Sequence, residues 1–151
     1  MALPDYVRLE AAAEGLNASV GTISAGRNYL FTTAIANQTN LDKWADIQLH
    51  VHPGAAPTVD YTVEVYFLYS EDETNYENGA GNGTSATNDI DPKCMPVGLF
   101  HAIANTTAQR AMIHGVPLAP YPFKVLLKSE LDQTCSATVT VNTRADAVTD
   151  A

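Results

Sequence analysis

The feature that most constrains the fold is the alternation of apolar and polar residues along short segments. WADIQLHVHP (44–53) and YTVEVYFLYS (61–70) each place an apolar or aromatic side chain at every second position. The two apolar sets are Ala45, Ile47, Leu49 and Val51, and Tyr61, Val63, Val65, Phe67 and Tyr69. A period of two is typical of a strand with one face in the core. We therefore expect a chain built mainly from half-buried strands.

Six further segments have the composition of short strands, with turn residues between them. They are residues 19–23, 28–37, 97–104, 108–116, 123–129 and 137–143. Helical spacing is rare, and a single short helix is predicted in LEAAAEGLN (9–17), ending at Gly15. About eight strands with so little helix predict an all-β protein: an antiparallel β-sandwich or jelly roll.

The length of 151 residues suits one domain that buries its own core. We predict an N-terminal arm over residues 1–14, a sandwich domain over 15–144 and a C-terminal tail over 145–151. A long loop at 70–96 interrupts the domain and concentrates glycine, asparagine and acidic residues. Loops of this length are usually functional or mobile, so this loop is the expected place for contacts outside the domain.

The formal net charge of −9 narrows the range of partners. An acidic chain repels phosphate backbones and lacks the basic patch that binds anionic lipids, so we expect neither nucleic acid nor a membrane as partner. The N-terminal segment lacks a basic stretch followed by an apolar one, so we expect synthesis in a cytoplasm without a secretory signal. Cys94 and Cys135 are then expected as two thiols, the alternative being one disulfide formed in oxidising surroundings.

Histidines give the sharpest enzymatic pattern. HVH places His50 and His52 on one strand face, and PVGLFHAIAN contains His101 and Asn105. These stretches resemble parts of the two cupin motifs, and cupins are small β-barrels that hold a metal with such histidines. A cupin-like metalloprotein is therefore one alternative function.

Two observations argue against a metal site. Ala56 and Pro57 stand where cupins carry a glutamate after the H-x-H. By alternation, His101 shares an apolar face with Leu99 and its neighbours Val97 and Ile103, whereas His50 and His52 share a polar face with Asp46 and Gln48. Ligands of one metal should line one cavity. We therefore expect no cofactor, no metal and no catalytic residues.

The acidic part of the long loop has two candidate roles. Its hard oxygen ligands offer a calcium site, although the spacing of an EF-hand loop is missing, and a solvated acidic loop is the simpler interpretation. The candidates are Glu71, Asp72, Glu73, Asn75 and Glu77. Tyr66, Tyr76 and Trp44 are candidates for a sugar-stacking platform, the mark of a carbohydrate-binding module, although scattered aromatics are commoner.

Two stretches together resemble a known pattern. LYSEDETNYENG is similar to S-x-D-G-T-N-Y-x-D-G, and GVPLAPYPFKVLLKSELDQTCSAT is similar to G-[IV]-P-L-P-P-x-x-F-K-V-L-L-x-N-x-T-G-Q. This pair, spanning residues 68–138, resembles small structural proteins encoded in the virion gene clusters of tailed bacteriophages. Glu73 stands where the pattern has a glycine, and Glu130, Leu131 and Asp132 stand in the place of its N-x-T-G turn.

The resemblance implies a non-enzymatic virion protein, made in the cytoplasm of a host bacterium. It favours a decoration (cement) protein that binds and stabilises the capsid exterior. The implied partner is the major capsid protein or another virion protein. By analogy with decoration proteins on threefold positions, the chain is expected to form a homotrimer. A carbohydrate-binding β-sandwich module on the virion is a further alternative.

Candidate assembly contacts come from two apolar segments, the N-terminal arm and the proline-rich lead VPLAPYPF (116–123). Prolines stiffen such a segment, which therefore loses little entropy on docking. They also block the extension of an adjoining strand by another chain. The candidates are Leu3, Tyr6, Val7, Leu9, Pro117, Leu118, Pro120, Tyr121 and Pro122.

Overall fold

The computed structural model describes residues 7–9, 13–58, 61–77 and 92–148. They form mostly strands, with one short helix. The elements are β1 (Val7–Leu9), β2 (Ala13–Ile23), β3 (Asn28–Leu30), α1 (Asn37–Asn40), β4 (Trp44–Pro53), β5 (Thr62–Tyr69), β6 (Gly98–His101), β7 (Gln109–Pro117), β8 (Phe123–Ser129), β9 (Cys135–Arg144) and β10 (Asp146–Val148).

Eight strands form two antiparallel sheets of four. Sheet I has the order β2-β9-β4-β7, and sheet II has the order β3-β8-β5-β6. The inward side chains of both sheets form one buried cluster, which makes the chain an all-β sandwich as predicted. In addition, β1 pairs with β10 in a two-stranded sheet, so segments near the two ends lie side by side.

The helix predicted over residues 9–17 is wrong in the part that the structure describes. Leu9 ends β1, and β2 begins at Ala13 and pairs with β9 along its length. The alanines of this segment favour a helix locally, but Leu16 and Val20 are buried in the core when the segment is a strand. Pairing and burial therefore override the local propensity.

Sheet I shows the predicted alternation. In β4, the alternate residues Ala45, Ile47, Leu49 and Val51 are buried, while the polar residues between them are half-buried. The same pattern runs through β9. One face of sheet I therefore packs on the core and the other is open.

Sheet II is buried on both faces around β8. Val125 and Leu127 point into the main core, whereas Leu126 belongs to a second cluster on the outer side of the sheet. This outer cluster consists of Leu30, Tyr66, Leu68, Tyr76 and Leu126, with Cys94 packed against it. The long loop supplies Tyr76, so the described start of that loop covers the sheet.

One end of the sandwich brings the two quoted stretches together. Tyr69, the last residue of β5, pairs with Phe123, the first residue of β8. The loop after β5 and the proline-rich lead before β8 are therefore neighbours, although about fifty positions separate them in the sequence.

Candidate functional site

A concave surface of about 600 Å³ lies at this end of the sandwich. Tyr69 and loop 70–77 form one wall, and Ala119 and Tyr121 form the other. We call this surface the end cleft. It combines carboxylates with tyrosine side chains.

Hydrogen bonds to Asp72 hold the turn that forms much of the first wall. Its Oδ1 accepts hydrogen bonds from the Ser70 hydroxyl (3.0 Å) and from the N–H groups of Thr74 (2.9 Å) and Asn75 (2.7 Å), and its Oδ2 accepts one from the Asn75 side chain (2.6 Å). These donors hold the pKa of Asp72 well below its usual range, led by the backbone and side-chain bonds from Asn75. The carboxylate thus acts as the internal anchor of the turn.

Glu73 completes this turn in an unusual conformation. Its φ of 61° lies in the left-handed region, which glycine adopts easily and other residues seldom do. The side chain leaves the cleft and accepts a hydrogen bond from Gln38 Nε2 at 2.6 Å. Residue 73 therefore has the backbone conformation that glycine favours, although the residue is glutamate.

The second wall is fixed through its main chain. The Leu118 N–H donates to the Lys43 carbonyl at 2.9 Å, and the Asn37 side chain donates to the Ala119 carbonyl at 2.7 Å. Asn37 is itself buried and also bonds the Asp42 carbonyl at 3.0 Å. These bonds hold the proline-rich lead in one shape.

The two walls are also tied to each other. The Ser70 N–H donates to the Pro122 carbonyl at 3.0 Å, and the Ala119 N–H donates to the Tyr69 hydroxyl at 3.4 Å. Burial raises the pKa of Tyr69, an effect that the bond from Ala119 partly offsets, and nearby Glu77 raises it further. Tyr69 therefore stays a neutral phenol at physiological pH.

The floor of the cleft reaches the outer cluster through Tyr76. Only 5% of Tyr76 is exposed, and the Lys124 ammonium lies 4.2 Å from the centre of its ring. A cation at this distance is attracted by the ring quadrupole. Burial, together with the charges of Glu73 and Asp72, raises the pKa of Tyr76.

The predicted assembly contacts fall into three groups. Leu3 and Tyr6 lie outside the described residues, and Val7 and Leu9 belong to β1. Of the remaining five, Pro117, Pro120 and Tyr121 are exposed, Leu118 is half-buried and Pro122 is buried.

The prolines do not protect β8 in the way the sequence predicted. β8 is a central strand, hydrogen-bonded to β3 and β5 on its two sides, so it has no open edge. Sheet I instead has β7 as one of its edge strands, and Pro117 is the last residue of β7. The proline pattern marks the end of an edge strand and the turn that follows it.

The three histidines of the cupin comparison do not meet. His50 and His52 lie on the outer face of sheet I, whereas His101 is exposed at the end of β6 in sheet II. The predicted face of His101 is wrong, because Phe100 points into the core while Leu99 is 51% exposed. Among the described residues, no three His, Cys, Asp or Glu side chains are grouped closely enough to hold a metal ion.

The aromatic residues of the predicted sugar-stacking platform and the two cysteines lie in different parts of the sandwich. Tyr66 and Tyr76 are buried in the outer cluster and Trp44 belongs to sheet I, so the predicted sugar-stacking platform of these three is wrong. Cys135 is buried in the main core, and Cys94 packs on the outer cluster; both are thiols. Burial raises the pKa of Cys135, so it is poorly suited to act as a nucleophile.

The sequence did not predict the residue that fixes the second wall. Asn37 and Ala119 contact each other across 82 positions, and a single sequence carries no signal for such a long-range bond. Tyr121 was predicted only as an assembly contact, although it also lines the end cleft.

No protein-family model matches the chain, and no curated protein sequence matches it. Among solved structures, it is similar to a carbohydrate-binding module (CBM6cm-2) from Cellvibrio mixtus lichenase 5A in complex with cellotriose, at 12% identity over 91% of each chain, with a TM-score of 0.46.

Two other solved structures are more distant. The Yersinia pseudotuberculosis-derived mitogen is 7% identical over 90% of this chain and 91% of its own, with a TM-score of 0.37. Desmodium yellow mottle tymovirus is 9% identical over 100% and 97%, with a TM-score of 0.31. The assignment of the sandwich rests on the strand pairing described above. No helix among the described residues is long and apolar enough to cross a membrane.

Proposed function

We propose that this chain is a non-enzymatic decoration (cement) protein of a tailed-bacteriophage virion, bound to the major capsid protein on the capsid exterior. Two sequence stretches resemble small virion proteins of tailed bacteriophages, which suggests the virion as the location. The main structural observation in support of the proposal is the conformation of Glu73. Glu73 stands where the pattern has glycine, and its φ is 61°. The turn therefore has the backbone that a glycine at this position would favour, although the side chain differs.

The positions of the two stretches also support the proposal. The Ser70 N–H bonds the Pro122 carbonyl at 3.0 Å, and Tyr69 pairs with Phe123, so the two halves of the pattern form one surface. The two halves of the pattern are therefore neighbours in the folded chain, although they lie far apart in the sequence.

The exposed part of the proline-rich lead is suited to a fixed contact. Pro120 is exposed on a main chain that Lys43 and Asn37 hold in place. A segment already ordered in the free protein loses little entropy when it docks. The major capsid protein is the partner that the phage setting implies.

Capsid co-sedimentation tests the proposal directly. The full chain is mixed with intact capsid shells of its own phage, and bound protein is measured across a concentration series. We expect Pro120→Asp to lower the affinity about tenfold, because it places an unpaired charge in the contact. The melting temperature, measured in parallel, should stay close to that of the parent chain.

Ala56→Asp is the matched control. Ala56 is also exposed, but it follows β4 at the opposite end of the sandwich, where Gly54 N–H bonds Thr134 O. This variant adds the same charge and should bind capsids like the parent chain. Failure of the parent chain to bind shells, or equal binding by both variants, would refute the proposed contact.

Self-association into a trimer is part of the same proposal. At a net charge of −9 free copies repel each other, so association should strengthen as salt screens this repulsion. Sedimentation velocity from about 0.01 to about 1 M salt tests this, since the Debye length falls from about 30 to about 3 Å. A monomer at every salt concentration contradicts the trimer.

The N-terminal segment is proposed as a second contact. Deleting residues 1–10 removes β1, the strand that pairs with β10, but leaves both sheets of the sandwich intact in sequence. The truncated chain should fold and occupy fewer capsid sites. Undiminished occupancy would exclude this segment from the contact.

A further inference from the structure

The end cleft is already formed in the free protein. Its volume of about 600 Å³ lies within the range of about 300–1,000 Å³ that small-molecule sites occupy. Hydrogen bonds from Ser70 to Pro122 and from Ala119 to Tyr69 tie its two walls together. A ligand would therefore meet a formed site and would not have to order it.

One wall offers an aromatic face. Tyr121 is 41% exposed and stands between Pro120 and Pro122 on the rigid lead. A tyrosine ring gives a large contact area with little rotational freedom to lose. The flat ligand that suits it has an apolar face with polar groups around its rim, as a pyranose ring does.

The opposite wall offers hydrogen-bond acceptors. Glu71 is exposed, and Glu77 accepts the Tyr69 N–H through Oε2 at 3.2 Å, which leaves its other oxygen available. The Tyr69 hydroxyl adds a neutral group that both donates and accepts. Carboxylates form strong, charge-assisted bonds with hydroxyl groups.

The same groups disfavour a metal cation. Four donors already engage the two oxygens of Asp72. Calcium prefers six to eight oxygen ligands, and the described residues contain no group of acids compact enough to supply them. The cleft is therefore better suited to a neutral polyhydroxylated ligand.

We propose that the end cleft is a saccharide-binding site for neutral hexopyranose units, with Tyr121 stacking on the sugar ring and Glu71 and Glu77 accepting its hydroxyl groups. The carboxylates also set the selectivity. Sialic and uronic acids carry a negative charge that Glu71, Asp72 and Glu77 repel, so acidic glycans should be excluded. This activity goes beyond the proposed attachment to capsids.

A glycan array with the full chain identifies the sugar, and isothermal titration with the best neutral oligosaccharide measures its affinity. Tyr121→Ala should weaken binding about tenfold, because the stacking face is lost. Tyr61→Ala is the matched control: Tyr61 is similarly exposed, at 38%, but precedes β5 at the far end of the sandwich. It should leave the affinity unchanged.

The carboxylate role has its own matched pair. Glu71→Gln should weaken binding about three- to tenfold, since a charged acceptor becomes neutral. Glu73→Gln makes the same charge change in the same loop, but Glu73 faces Gln38 and not the cleft. Equal losses in the two variants would indicate a general charge effect and overturn the site.

Two array results would also overturn the proposal: no neutral glycan bound, or a preference for sialylated or uronic acid glycans. The outcome is separable from capsid binding. Glu71→Gln tests the saccharide site with the lead unchanged, and Pro120→Asp tests the capsid contact. Capsid binding without glycan binding refutes only the saccharide site, and the reverse result refutes only the decoration role.

Discussion

The outer faces of the two sheets differ although each sheet has four antiparallel strands. The outer face of sheet I carries half-buried polar residues such as Gln48, Thr138 and Thr140. The outer face of sheet II carries fully buried leucines under Tyr76. One sheet is covered on one side and the other on two, so the same fold contains both alternating and continuous patterns of burial.

Lys124 is a charged residue that is buried on the outer face of sheet II, beneath Tyr76. It lies on the outer side of β8, yet only 9% of the residue is exposed. Its ammonium lies over the Tyr76 ring, and its aliphatic stem is buried with the sheet. The loop that covers sheet II therefore contributes to stability as well as to the end cleft. Substitutions on the outer faces of the two sheets can test this difference in burial.

Truncation of Leu126 should have the largest effect. Leu126→Ala removes a fully buried side chain from the outer cluster and should lower the free energy of unfolding by about 2–5 kcal/mol. Thr140→Ala at an outward position of β9 should cost no more than about 1 kcal/mol. Urea denaturation of both variants measures the difference, and equal losses would show that sheet II is not covered.

Substitution of Tyr76, the residue that covers sheet II, should have the second-largest effect on stability. Tyr76→Ala removes the ring over Lys124 and should cost about 2–4 kcal/mol. Tyr76→Phe keeps the ring and should cost no more than about 1 kcal/mol. If both variants unfold at the denaturant midpoint of the parent chain, the loop does not stabilise sheet II.

Much of this fold could be predicted from alternation alone. The bounds of β4 and β8 match the predicted segments, and the fold class is confirmed. The prediction failed where local composition and tertiary pairing disagree. Residues 28–37 were predicted as one strand, but β3 ends at Leu30, and only Ile35 bridges to Phe123 before α1 begins.

The site was less predictable than the fold. The sequence marked both stretches that form the end cleft, but not that they meet, because β5 and β8 pair across a long separation. The aromatic platform failed for a related reason. A strand covered on both faces buries Tyr66 as well as Phe67, and alternation assumes that one face is open.

Acidification should act on the covering loop through Asp72. Its pKa lies below its ordinary value of 3.8, so its contribution to stability is complete above that value and is lost as the pH falls from about 4 towards the folded pKa. Asp72→Asn should therefore melt below the parent chain at neutral pH, with a gap that narrows below about pH 4. A gap that is the same at pH 7 and pH 3 would mean that the charge of Asp72 does not hold the turn.

Glycine at position 73 should have the smallest effect, and the opposite sign. A residue other than glycine in the left-handed region costs about 1–2 kcal/mol, whereas glycine adopts it freely. Glu73→Gly relieves this cost but loses the exposed bond from Gln38 and gains chain entropy in the unfolded state. The net result should be a stabilisation of about 0.5–1 kcal/mol.

Glu71→Gly is the control for this substitution. Among the described residues other than glycine, only Leu41 and Glu73 have a positive φ, so a glycine at position 71 relieves no strain. It should destabilise by about 0.5–1 kcal/mol through entropy alone. Opposite signs in the two variants, measured by thermal melts, would show that the loop over sheet II holds a turn suited to glycine. Two losses of similar size would mean that position 73 is not strained.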